Sequence, residues 1–74
     1  MMETLSDRVK KRRNELNLTQ AELAELSGTK QQTIQQVESG LTKRPRKIIE
    51  LAVALRCEPT WLLFGEQTTK TNAA

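Results

Sequence analysis

Apolar residues recur along this chain at helical spacing, with no run of strict alternation. Leu5, Val9 and Leu16 fall on one stripe and predict a first helix from about Leu5 to Glu15, with Thr4 or Ser6 as its N-cap and Asn17 as its stop. In "LTQAELAEL" a second start is written out. Thr19 and Glu22 have the spacing of a capping box, and Leu18 and Leu23 stand where a hydrophobic staple would close over it. The second helix therefore begins at Gln20 and ends near Ser27, where Gly28 supplies a residue able to turn with positive φ. Ile34 and Val37 anchor a third helix from about Gln31 to Glu38, closed by Ser39-Gly40. After the basic loop "LTKRPRK", in which Pro45 makes Arg44 extended, Ile48, Ile49, Leu51, Ala52 and Leu55 form the expected buried face of a fourth helix. Pro59 suits the first turn of a short fifth helix carrying Trp61, Leu62 and Phe64, stopped by Gly65. The reading is one all-α domain over residues 1–65, a compact five-helix unit, with a polar tail, residues 66–74, expected to be disordered.

Composition supports that fold class and narrows the chemistry. At 74 residues there is room for one domain, and Trp61 and Phe64 are its only aromatics, while the strong helix formers dominate. Cys57 is the single cysteine and histidine is absent, so there is no intramolecular disulfide, no Cys/His set for zinc and none of the commonest general base. Cys57 reads most simply as a small core residue. No enzyme activity, cofactor or small-molecule ligand is expected. The opening "MMETLSDRVKK" has no apolar stretch resembling a signal peptide, and no segment approaches membrane-spanning length, which suggests a reduced, cytosolic compartment. Charge is unevenly placed. Ten Lys/Arg and four acidic residues lie between Arg8 and Lys47, against two basic and five acidic residues elsewhere. Such asymmetry suits a domain that lays one face on a polyanion, although a basic solvated surface would look the same.

The segment "KQQTIQQVE" separates those two readings. At about 100° per residue, Gln31, Gln35, Gln32 and Gln36 cover roughly 140° of the third helix, with Ile34 and Val37 on the opposite side. A face that merely meets water, in a chain this rich in charge, would be expected to carry Lys and Glu. An uncharged amide offers a donor and an acceptor side by side, the pattern complementary to the adenine edge in the major groove. The bland alternative is that glutamine is a good helix former on a solvated surface.

The second helix, the turn at Gly28 and the third helix together read as a helix-turn-helix, with Ala24 small where the two helices meet and Leu23, Ile34 and Val37 locking them. "LSDRVKKRRNELNLTQAELAELSGTKQQTIQQVESGLTKRPR" followed by "ELAVALRCEPTWLLFG" resembles the DNA-binding domains of the lambdoid-phage Cro and repressor family, those of phage 434 in particular, over residues 4 to 65. The resemblance implies that Gln31, Gln32 and Gln36 read base edges, with Lys30 near bases at the start of the recognition helix. Gln36 is repressor-like, whereas Lys30 and Gln35 are Cro-like. It also implies a phosphate contact from Gln20, a basic loop of Lys43, Arg44 and Arg46 on the DNA backbone, and Arg46 along the minor groove. Arg13 and Glu38 match a buried ion pair, and the wheel independently sets Arg13 beside the Leu5–Val9–Leu16 stripe, where a charge would need a partner. Arg44, Pro59 and Trp61 match positions near the family's dimer contact, and Trp61 equally suits the core. This chain departs from the family at Ser27, usually apolar or small, and at Lys47, usually bulky and apolar.

These features lead to an expected phage or prophage transcriptional regulator in a bacterial host, binding double-stranded operator DNA as a homodimer. The lack of a second domain favours a Cro-like protein, while the same sequence would serve as the DNA-binding part of a longer repressor. An antitoxin-type regulator of the same fold, with a toxin protein as its main partner, is the alternative. A helical adaptor with no nucleic-acid role would leave the glutamine face and the basic loop unexplained.

Overall fold

The computed structural model describes residues 4–65, and the expectation about residues 66–74 lies outside them. Five helices follow in chain order: α1 Leu5–Glu15, α2 Gln20–Ser27, α3 Gln31–Glu38, α4 Ile48–Ala54 and α5 Pro59–Phe64. No strand occurs among the described residues, and no helix among them is long and apolar enough to cross a membrane.

Local chemistry explains where each helix begins and ends. Thr4 caps α1, its hydroxyl accepting from the Asp7 N–H while the Asp7 carboxylate accepts from the Thr4 N–H. Thr19 and Glu22 form the same reciprocal pair at α2, at 3.0 and 2.8 Å. At the far end of α2, Gly28 turns at φ 70°, and the Thr29 N–H closes back on the Ala24 carbonyl at 2.8 Å. Ser27, an expected departure from the family pattern, is buried with its hydroxyl partnered. Its hydroxyl donates to the Leu23 carbonyl at 2.8 Å and lies 2.9 Å from the Thr29 hydroxyl.

Packing then follows the apolar stripes. α1 rests on α3 and α5, α2 on α3 and α4, and α4 on α5. Val9, Leu23, Ile34, Val37, Leu51, Leu55 and Leu62 are fully enclosed, so each helix contributes at least one side chain to a single core. Each is worth about 1.5–3 kcal/mol in burial. Ile49 is a correction to the expected face of α4, since it is 56% exposed. Ile48, Leu51, Ala52 and Leu55 follow the i, i+3, i+4, i+7 stripe, and Ile49 stands one residue off it.

The "VKKRR" stretch behaves differently from a solvated basic run. Arg8 is only 5% exposed and donates to the Leu62 and Leu63 carbonyls near the end of α5, at 2.9 and 3.1 Å. Gly65 closes that helix at φ 88°, where an added Cβ would come 3.0 Å from Arg8 Nη1. Arg12 donates to the carbonyls of Leu55 and Arg56 at the end of α4. Arg13 reaches Leu18 and Glu38. Three of the cations counted toward the basic face thus point into the protein, where α1 secures the ends of its neighbours.

Candidate nucleic-acid interface

α3 presents the face that would meet a ligand. Ile34 and Val37 are fully buried, which fixes the rotation of the helix, and Gln31, Gln32, Gln35 and Gln36 are all exposed on its other side. Its C-terminal end is closed by the Gln36 carbonyl accepting from Leu41 and Thr42 and by the Val37 carbonyl accepting from Gly40. The side chains of the four glutamines make no hydrogen bond to protein among the described residues, so their amides are open for external partners.

Cations border this helix on one flank. Lys30, at the N-cap of α3, is exposed, and its side chain makes no capping hydrogen bond. A cleft of about 360 Å³ runs between the start of α3 and the loop that precedes α4, lined by Lys30, Thr33, Arg46 and Lys47. Buried Pro45 seats the loop there. Lys47 belongs to this basic surface although it was not among the expected contacts. Its Nζ lies 3.9 Å from where a Cβ on Gly28 would stand, so it folds back over the turn between α2 and α3. The signal available in the sequence was its place in the cationic run Lys43 to Lys47, directly after Arg46. Lys43, also exposed, lines a different groove with Thr4, Ser6 and Thr42 at the start of α1. The loop cations are therefore split between two flanks, and Arg44 is exposed between them.

The Arg13–Glu38 pair sits behind this surface. Arg13 Nε donates to Glu38 Oε2 at 2.6 Å and Nη2 to Oε1 at 3.1 Å, while Nη1 donates to the Leu18 carbonyl at 2.8 Å. Glu38 is 6% exposed. Two planar groups meeting edge to edge make the strong, directional form of a charged hydrogen bond. Gln20 joins them, its Nε2 donating to Glu38 Oε1 at 3.1 Å. Gln20 is the first residue of α2. The capping pair occupies the Glu22 N–H and leaves the backbone N–H groups of Gln20 and Ala21 without protein partners among the described residues.

Pro59 and Trp61 lie on α5, half-buried, with Trp61 packed against the core. Trp61 and Cys57 line a second cleft, of about 430 Å³, with Lys11, Arg12 and Arg56. Burial pushes the Cys57 thiol above its ordinary range, with Arg12 opposing and Glu58 adding to the shift. No group of three or more His, Cys, Asp or Glu among the described residues could hold a metal ion.

Comparison with known proteins sets this geometry in a family. A helix-turn-helix family model matches residues 9–62. The chain is 43% identical over 58 residues to the HTH-type transcriptional regulator PrtR of Pseudomonas aeruginosa, covering 78% of this chain and 23% of that protein. It is 42% identical over 65 residues to the HTH-type transcriptional regulator for conjugative element SXT of Vibrio cholerae, covering 88% and 30% respectively. The chain thus spans under a third of the length of either regulator. Among solved structures, the P22 c2 repressor protein in complex with synthetic operator 9T superimposes with a TM-score of 0.83 at 30% identity, over 88% of this chain and 100% of that one. The matched span runs from Val9 in α1 to Leu62 in α5 and so takes in α2, the turn at Gly28 and α3; the chain belongs to the helix-turn-helix family.

Proposed function

We propose that this chain is a DNA-binding transcriptional regulator that grips a two-fold operator as a dimer, each copy laying α3 in a major groove. The observation that carries the reading is the face of α3 itself: four exposed, uncharged amides on a helix whose rotation is fixed by the buried Ile34 and Val37. Gln31, Gln32, Gln35 and Gln36, with Lys30, are the base-reading set, because an amide can bond both a donor and an acceptor on one base edge. Gln20 and the open N–H groups at the start of α2 take a backbone phosphate. Lys43, Arg44 and Arg46 hold the DNA backbone and minor groove, and Lys47 adds a further cation to them. These contacts position the protein without selecting sequence. Support comes also from the similar P22 repressor, which was solved on operator DNA, and from the relatives named as transcriptional regulators.

Arg44, Pro59 and Trp61 are the candidate contacts between the two copies, which would set half-sites about one helical turn apart. Sedimentation of the protein with a labelled duplex tests the proposal. Two chains per duplex, with affinity falling steeply as salt rises, is the expected result. Saturation at one chain per duplex would remove the dimer, and salt-independent or absent binding would remove the function.

A further inference from the structure

We infer that Glu38 is a positioning residue for DNA binding: by accepting a hydrogen bond from Gln20, it turns the Gln20 amide so that a donor, and not an acceptor, faces a backbone phosphate. The inference rests on the DNA-binding reading above and adds a task to an ion pair otherwise assigned only to stability.

The argument starts from the symmetry of an amide. Its oxygen and nitrogen ends are nearly the same shape, so a glutamine at a helix start can present either one. Presented to a phosphate, the nitrogen end bonds and the oxygen end repels. An ionised carboxylate accepts only, so Glu38 selects which end of Gln20 faces it. The contact is Nε2 to Oε1 at 3.1 Å. One amide hydrogen is spent there, leaving the second on the same nitrogen, turned away from Glu38. Gln20 is only partly buried, and this second hydrogen has no protein partner among the described residues. It lies on the first residue of α2, beside the open backbone N–H groups of Gln20 and Ala21.

The support is rigid. Glu38 cannot drift, because Arg13 holds both carboxylate oxygens, at 2.6 and 3.1 Å, and is itself tied to the Leu18 carbonyl. Glu38 also closes α3, so a single carboxylate links the helix proposed to read bases to the first residue of the helix proposed to hold phosphate. A group locked by a supporting shell loses less freedom on binding than one that must be ordered at that moment.

A double-mutant cycle separates positioning from mere stability. Replacing the whole pair, Arg13→Met with Glu38→Met, removes the acceptor without stranding a buried charge. Binding to a labelled mixed-sequence duplex is then measured for the wild type, Gln20→Ala, the pair variant, and the pair variant carrying Gln20→Ala. Gln20→Ala should weaken binding about ten-fold. The pair variant should lose about the same factor, and adding Gln20→Ala to it should change nothing further. A pair variant that binds like wild type overturns the inference, as does a full additional loss on adding Gln20→Ala. If Gln20→Ala has no effect while wild type binds DNA, the inference fails and the DNA-binding reading stands. If wild type shows no salt-dependent binding, that reading falls and the inference with it.

Should the pair variant not fold, the side-chain amide resonances of Gln20 in the wild type decide. On adding DNA, the proton bonded to Glu38 should keep its shift and its exchange protection while the other moves. Loss of protection at the first would overturn the inference.

Discussion

Arg13 Nε and Glu38 Oε2 stand 2.6 Å apart with the carboxylate 6% exposed, joining α1 to the C-terminal end of α3. Removing one member leaves a buried charge with no opposite. Glu38→Ala should therefore destabilise the domain by about 3–5 kcal/mol, a large part of what a chain this size has to lose. Urea denaturation checks it, and a midpoint unchanged from wild type would show that the pair contributes nothing. The same argument expects the pair of substitutions to methionine to be near neutral.

Arg56 presents the opposite case, a residue whose backbone works against it. It sits at φ 56°, directly after the last turn of α4, where the Cys57 N–H closes back on the Ala52 carbonyl. An L-residue pays roughly 1–2 kcal/mol for that conformation. Arg12 holds it there through the Arg56 carbonyl, at 3.2 Å, a contact that does not need the arginine side chain. Arg56→Gly should raise stability by about 0.5–1 kcal/mol after the extra freedom of the unfolded chain is counted. Thermal melting should show a rise of a few degrees, and a fall would mean that the Arg56 side chain makes a contribution larger than the backbone strain.

Much of this architecture was legible because its signals are local. Capping pairs three residues apart, a glycine at the end of α2 and a proline at the start of α5 mark helix ends within the sequence itself. The amide face of α3 could be drawn on a wheel for the same reason. What escaped was long-range. Arg8 and Arg12 look like members of a solvated basic run until α5 and α4 bring carbonyls from more than 40 residues away. The link from Gln20 to Glu38 spans 18 residues and depends on how α2 and α3 dock. Ile49 departs from expectation because seven of the eight residues from Ile48 to Leu55 are apolar, more than one face of a helix can bury. The split of the loop cations, with Arg46 and Lys47 in the cleft beside α3 and Lys43 in the groove at the start of α1, depends on the path of the loop, which composition does not reveal.

The thiol of Cys57 offers a pH test. Burial, the largest cause, raises its pKa above the ordinary thiol range, so the folded protein holds this proton more tightly than the unfolded chain does. Stability from this group is present below the unfolded-state pKa and declines as pH rises through the folded value. Iodoacetamide should accordingly modify Cys57 more slowly in the native protein than in urea, with the native rate climbing at higher pH. Equal pH profiles in the two states would contradict the burial account.

Lys47 should act as a phosphate-binding cation from the cleft beside α3. Lys47→Ala should weaken binding on all duplexes alike and reduce the slope of log affinity against log salt by about 0.9. The comparison is a pair of salt titrations on specific and mixed-sequence DNA. An unchanged slope would return Lys47 to the turn at Gly28 as a purely local contact.

The most direct test of the central claim is selection of bound duplexes from a random DNA pool at moderate salt. If the amides of α3 read bases in a dimer, the recovered sequences share a palindrome with adenine-bearing outer positions about one helical turn apart, and Gln31→Ala and Gln32→Ala relax those same positions. Each lost discrimination is worth about 1–3 kcal/mol. A pool that binds yet yields no consensus would contradict the account, leaving the basic loop as the whole interface and the four glutamines as a solvated face.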